Sequence, residues 1–265
     1  MTEDDHRLAR DLATAAGERL LALRAEGGDP VELRKAGDRS SHEYLMAELA
    51  RLCPGDAVLS EEGKDDKARL SAQRVWIVDP LDGTREFGED GRTDWAVHVA
   101  LWERGELTAG AVALPAQQQT LSTMDEAAET AGPQTLSAAD TVSGAAGGPD
   151  GGKLRIVISR SRPPAFIERV AELADAELVP LGSAGAKVAA VICGDVDAYV
   201  HAGGQYEWDS AAPVAVARAR GLHASRIDGS ELSYNQEHPW MPDLLVCRSE
   251  LAGMLLDAIK SAGGE

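Results

Sequence analysis

The sequence predicts an α/β protein in two halves: an α+β half over residues 1–125 and an α/β half over residues 153–265. Three observations predict it. Leu8, Leu12, Ala16, Leu20 and Leu23 recur at helical spacing near the start. From Ala57 the period shortens to strand-like runs. After Leu154, strand-like and helix-like segments alternate to the end of the chain.

Taken in order, Arg7 to Arg24 reads as a helix with charges opposite its apolar face, closed by EGGDP. A second helix is expected to open at Ser40 or Ser41, because Ser40 and Glu43 have capping-box spacing and Leu45, Leu49 and Leu52 follow. AVLSEE and RVWIVDP read as short buried strands, DWAVHVALWERGELTAGAVALP as a hairpin turning at Arg104-Gly105, and LSTM as one more strand. Residues 126–152 are small, polar and glycine-rich, which predicts a linker or surface segment. Beyond it, LRIVISR, AELVPLG, VDAYVH and LLVCR read as strands. Between and after them, PPAFIERVAELADA, SAGAKVAAVICG, DSAAPVAVARARG and SELAGMLLDAIKSAG read as helices.

Bulk properties narrow the function. A net charge of −18 gives the chain no overall attraction for nucleic-acid phosphates. No apolar run is long enough for a membrane span. Three dispersed cysteines, Cys53, Cys193 and Cys247, argue against a disulfide framework or a zinc site. The opening MTEDDH lacks the basic and apolar regions of a secretory signal, so a cytoplasmic location is expected. The histidines, His42, His98 and His201 among them, show no metal-ligand spacing and are expected to be structural or surface residues.

The densest chemistry lies in VDPLDGT. Pro80 stiffens the end of a strand and Gly83 permits a tight turn. Asp79 and Asp82, with the Leu81 carbonyl between them, can share a hard cation such as Mg²⁺, which favours oxygen ligands. If a helical turn starts at Thr84, the Gly83 and Thr84 amides would face an anion. The plainer alternative is a strand ending in an acidic turn. The aspartyl-phosphate motif D-x-D-G-T is excluded, because Pro80 stands where its nucleophile would be.

Other acids gain interest beside this string. Glu61 and Glu62 end AVLSEE, where a solvated loop is the simpler account. Asp209 in YEWDSAAP reads equally as a helix N-cap, and Asp38 in RKAGDRSSH as a turn residue before the second helix.

SEEG, DPLDGT and EWDSAAP, in that order, resemble the inositol monophosphatase/fructose-1,6-bisphosphatase superfamily, most nearly its CysQ-type 3′(2′),5′-bisphosphate nucleotidases of actinobacterial kind. The resemblance runs from the first helix to about Arg248. It implies a layered α-β-α-β-α sandwich and a homodimer. It implies Mg²⁺ as cofactor, as two or three ions, with Li⁺ as inhibitor. It implies metal ligation by Glu61, Asp79, Asp82, Asp209 and the Leu81 carbonyl. Catalytic roles fall to Thr84, oriented by Asp38, and to Glu61, around a metal-activated water, with Gly83 and Thr84 holding the phosphate. Lys35 departs from the family's T-x-x-D pattern, and Asp38 is assigned on its spacing from Glu61. Five carboxylates so close would repel one another unless cations neutralised them, and such cations would let an acidic protein hold a phosphate dianion.

The second half carries the substrate readings. ISRSRPP resembles a CysQ segment, so Arg160 and Arg162 either pair with a second phosphate or are solvated ends of a strand. Ser183 and Lys187 lie one turn apart in GSAGAK, a region the resemblance places on the sugar or base side. Tyr206 either stacks on a nucleobase or packs in the core, and Trp208 packs beneath Asp209. The substrate expected is 3′-phosphoadenosine 5′-phosphate (PAP) or its sulfated relative (PAPS), which links the enzyme to sulfate assimilation. Inositol-1-phosphate and fructose-1,6-bisphosphate are alternatives within the family, and a metal-binding regulatory protein without turnover is the alternative outside it.

Overall fold

The computed structural model describes residues 3–124 and 153–264, so the predicted linker at 126–152 lies outside the described residues. The chain opens with α1 (Glu3–Glu26) and α2 (Pro30–Leu52). The second helix thus begins about ten residues before the predicted Ser40 or Ser41. Asp29 is its cap, accepting from Val31 N at 2.9 Å and Glu32 N at 3.1 Å, and Pro30 fills the first turn, where no amide is needed. Ser40 and Glu43 are mid-helix, and Asp38 is a helical residue rather than a turn residue.

Next come β1 (Ala57–Ser60), β2 (Arg74–Asp82), the single turn α3 (Thr84–Phe87), β3 (Ala96–Glu103), β4 (Glu106–Leu114) and β5 (Gln119–Ser122). They form a sheet in the order β1-β2-β3-β4-β5, parallel only between β1 and β2. The β3-β4 hairpin turns at Arg104 and Gly105, both with positive φ, as a two-residue turn requires.

The second half contains β6 (Leu154–Ser159), α4 (Ile167–Leu173), β7 (Ala176–Leu181), α5 (Ala184–Ile192), β8 (Ala198–Tyr206), α6 (Glu207–Ala219), β9 (His223–Ser225), β10 (Trp240–Cys247) and α7 (Ala252–Ser261). Its sheet order is β7-β6-β8-β10-β9. β6 is parallel to β7 and β8, and β10 is antiparallel to β8 and β9. β8 and β10 are longer than VDAYVH and LLVCR suggested, and the short β9 carries no sequence signal of its own.

The layers follow from strand alternation. Trp76 and Val78 face α1 and α2, packing on Leu12, Leu20, Leu45 and Leu49. Val75 and Ile77 face the other way, onto α5 and α6. Those two helices also meet Val157, Tyr199 and Val246 of the second sheet, so they lie between the sheets and are apolar nearly all round. Gly110 allows the close contact: a Cβ there would stand 2.7 Å from Ala215 Cβ. α4 and α7 cover the far face through Ile167, Val170, Leu255 and Ile259. The result is the α-β-α-β-α sandwich. Among the described residues no helix is long and apolar enough to cross a membrane, and all three cysteines are free.

Candidate active site

Residues three apart on a regular strand point to opposite faces. Asp79 and Asp82 nevertheless converge, because β2 is irregular between them. Asp79 pairs with His98 and Asp82 with Ala96, so β2 advances three residues while β3 advances two. The extra residue re-phases the strand. Pro80 lies inside this irregularity, where a missing amide is tolerated. Leu81 N returns to Asp79 Oδ1 at 3.0 Å.

Asp209 approaches from the first turn of α6. It is not the cap; its Oδ2 reaches back to Tyr206 N at 2.6 Å. Ligand oxygens of Asp79, Asp82 and Asp209 lie within 4.8 Å of one another. An all-carboxylate set of this size suits a hard divalent cation.

The charges show what such a cluster tolerates. Burial, Glu61 and Asp82 push Asp79 well above the usual carboxylate range. Burial and Asp82 push Asp209 up to about 6, against the Tyr206 amide. Glu61, just past β1, is exposed and stands outside this three-acid group; it shares a hydrogen bond with Asp79, and partial desolvation of its carboxyl and Asp209 push it up to about 7. Asp82 goes the other way. Burial would raise it, but the His98 ring, Lys187 and Ser183 more than offset that and lower it. Ser183 Oγ donates to Asp82 Oδ2 at 2.5 Å, and Gly185 N–H donates to the same oxygen at 2.6 Å.

The Asp38–Thr84 pair is assembled by helix packing. Gly37 lets α2 close on the motif, since a Cβ there would stand 2.8 Å from the Phe87 ring and 3.0 Å from Leu81. Asp38 then lies beside Thr84, whose Oγ1 is 3.3 Å from Asp38 Oδ1 and 3.0 Å from the Leu81 carbonyl. Burial and Glu62 raise the Asp38 carboxyl to about 6. Gly83, with φ of 82°, caps α3 in the left-handed region, and its missing Cβ leaves room for Ser183 and the Asp94 carbonyl.

The predicted substrate residues divide by surroundings. Ser183 and Lys187 are buried, and Lys187 Nζ turns inward to the Ser183 carbonyl at 2.6 Å and the Gly182 carbonyl at 3.2 Å. Arg160 spans the two halves, with Nη2 2.6 Å from Glu86 Oε1 and 3.2 Å from Glu89 Oε1. Arg162 is exposed. Tyr206 is 46% exposed and stacks on Trp208, ring centroids 4.7 Å apart at 8°.

Sequence reading missed three supports. Glu86 is buried as the anchor of Arg160. Asp94 accepts from Gly182 N at 2.6 Å and pairs with Arg92. His98 is no surface residue: it is fully buried, 3.2 Å from Asp82 Oδ2 and 3.0 Å from the Trp208 carbonyl. The one signal was a lone polar residue on an otherwise apolar strand, AVHVALW.

The profile of the inositol monophosphatase family matches residues 4–262. A Mycobacterium leprae protein named 3′-phosphoadenosine 5′-phosphate phosphatase is 51% identical over 97% of this chain and 93% of its own. The Escherichia coli (strain K12) protein named 3′(2′),5′-bisphosphate nucleotidase CysQ is 30% identical over 87% of this chain and 94% of its own. Among solved structures, CysQ from Bacteroides thetaiotaomicron superposes with a TM-score of 0.74 at 28% identity, covering 93% of this chain and 97% of that one. The chain belongs to the inositol monophosphatase family and is a phosphatase.

Proposed function

We propose that the chain removes the 3′-phosphate of PAP and of PAPS, as a Mg²⁺-dependent, Li⁺-inhibited enzyme linked to sulfate assimilation. The observation that carries the substrate is the likeness, over nearly the whole chain, to proteins named for PAP. The adjacent Asp38–Thr84 pair and acid cluster support turnover over a purely regulatory, metal-binding role.

Glu61, Asp79, Asp82, Asp209 and the Leu81 carbonyl would hold the cations, which when bound supply Lewis acidity toward phosphate and water. The residues of the chain do the rest. The Thr84 hydroxyl has one proton and two acceptors within reach. Turned to Asp38, it leaves a lone pair for the attacking water, orients that water in line with the ester bond and relays its proton to the carboxylate. Glu61, with a carboxyl pushed up to about 7, stands ready as a second proton acceptor near neutrality. The Gly83 and Thr84 amides hold phosphoryl oxygens. No phosphoenzyme is formed.

Arg162 and Tyr206, both exposed, serve as contacts for the second phosphate and for the base. Arg160 is committed to Glu86 and Glu89 through Nη2, which leaves Nε and Nη1 to meet a phosphate. Ser183 and Lys187 act on substrate indirectly, by fixing the loop that donates to Asp82. A cytosolic homodimer completes the proposal, and sedimentation of the pure protein tests its subunit number. The deciding experiment compares kcat/KM for PAP, inositol-1-phosphate and fructose-1,6-bisphosphate with Mg²⁺, with and without Li⁺. PAP is expected to lead and Li⁺ to inhibit. A lead for either other substrate would overturn the assignment, and no phosphate release from any of them would restore the regulatory reading.

A further inference from the structure

Asp82 and Asp209 arrive from different layers, one at the end of a sheet strand and the other on the helix between the sheets. Both are carboxylates of like charge, so nothing in their own chemistry keeps them together. His98 joins them. Its ring is fully buried on β3, with Nε2 3.2 Å from Asp82 Oδ2 and Nδ1 3.0 Å from the carbonyl of Trp208, the residue before Asp209. The Nδ1 contact is a hydrogen bond to the Trp208 carbonyl; Nε2 has no aligned hydrogen bond and meets Asp82 through a close polar contact. The fit is tight on a third side. A Cβ on Gly185 would stand 2.1 Å from His98 Nε2 and 3.0 Å from Ala96 Cβ, so only glycine lets α5 close over the ring. The same Gly185 donates its amide to Asp82 Oδ2.

We infer that His98 is a positioning residue: by bridging Asp82 Oδ2 and the Trp208 carbonyl it fixes the relative placement of the two acids and thereby sets the cation affinity of the site. The inference rests on the reading that these acids hold a divalent cation. It assigns His98 no contact with substrate.

The test titrates Mn²⁺ into the cation-stripped full chain, reading free Mn²⁺ by electron paramagnetic resonance, for wild type, His98→Leu, His98→Gln and Asp82→Asn. His98→Leu is expected to weaken Mn²⁺ binding by about 10–100-fold, the usual effect of removing a partner of a ligand. His98→Gln keeps an N–H at the Nε2 position and is expected to recover part of that loss. In kinetics, the KM for Mg²⁺ should rise in parallel, while substrate KM at saturating Mg²⁺ moves by less than about threefold. Gly185→Ala, which forces the ring away, should weaken Mn²⁺ binding without touching His98 itself; with His98→Gln it decides the question if the leucine variant does not fold. Wild-type Mn²⁺ affinity in His98→Leu overturns the inference, as does an equal loss in the Gln and Leu variants accompanied by an equal fall in cation-free melting temperature. Wild-type protein whose Mn²⁺ binding is indifferent to Asp82→Asn overturns the underlying metal reading instead, and the inference with it.

Discussion

Thr84 Oγ1 lies 3.3 Å from Asp38 Oδ1, across 46 positions of sequence. Neither residue can be recognised as a partner of the other from local sequence. The contact exists because Gly37 lets α2 settle against Leu81 and Phe87, which flank Thr84. If this pair relays the proton of the attacking water, Thr84→Ala and Asp38→Asn should each lower kcat by about 10²–10⁴-fold, the range of general acid–base catalysis. Thr84→Ser should keep most of the activity. A fully active Thr84→Ala enzyme removes the relay.

Asp79→Asn and Asp82→Asn should abolish phosphatase activity while far-UV circular dichroism stays native. Mg²⁺ should also cease to raise the melting temperature of either variant, since a ligand stabilises only the state that binds it. Undiminished turnover in either variant sinks the metal assignment.

The acid cluster predicts an unusual pH dependence for the cation-free protein. Asp38 and Asp209 are raised to about 6, Glu61 to about 7 and Asp79 further. Between their unfolded values near 4 and these folded values, the native state binds more protons than the unfolded state. Stability is therefore full below pH about 4 for these groups and is lost as pH rises through 6 and 7. His201 and His223, both held below the ordinary histidine value by burial, oppose this. Calorimetry in EDTA should give a lower melting temperature at pH 7.5 than at pH 5, and Mg²⁺ should restore more at pH 7.5. A cation-free melting temperature that is flat or rising across that interval contradicts the clustering of these carboxyls.

Arg160 and Arg162 should separate in a paired experiment. Arg160→Ala leaves the buried Glu86 carboxylate without its guanidinium, a loss of about 1–3 kcal/mol of stability. Arg162 is exposed, so Arg162→Ala should leave the melting temperature unchanged and raise KM for a bisphosphate substrate more than for a monophosphate one. Equal KM effects on both substrate types would remove Arg162 from the second-phosphate site.

Much of the fold was legible because its signals are local. The strand runs of the first sheet, the Arg104-Gly105 turn and the alternation after Leu154 each depend on neighbours in the chain. The start of α2 was misread for a related reason. Ser40 and Glu43 have the spacing of a capping box, but Asp29 and Pro30 already offer a cap and a first turn, and a helix once begun continues through good formers. β9 was missed because three residues hold no period; its pairing with β10 alone makes it a strand.

Residue identity and order alone establish the acids and the chemistry they exclude: Pro80 leaves the D-x-D-G-T motif without its nucleophile. How those acids meet follows from contacts between distant elements. The irregularity that turns Asp79 and Asp82 to one side, the helix that brings Asp38 to Thr84, the ring of His98 between Asp82 and the Trp208 carbonyl, and the capture of Arg160 by Glu86 are all contacts between separate elements. Residue type sets what a side chain can donate or accept. Which partner it finds across two sheets and a buried helical layer is set by close packing, and that is a property of the assembled layers rather than of any one segment.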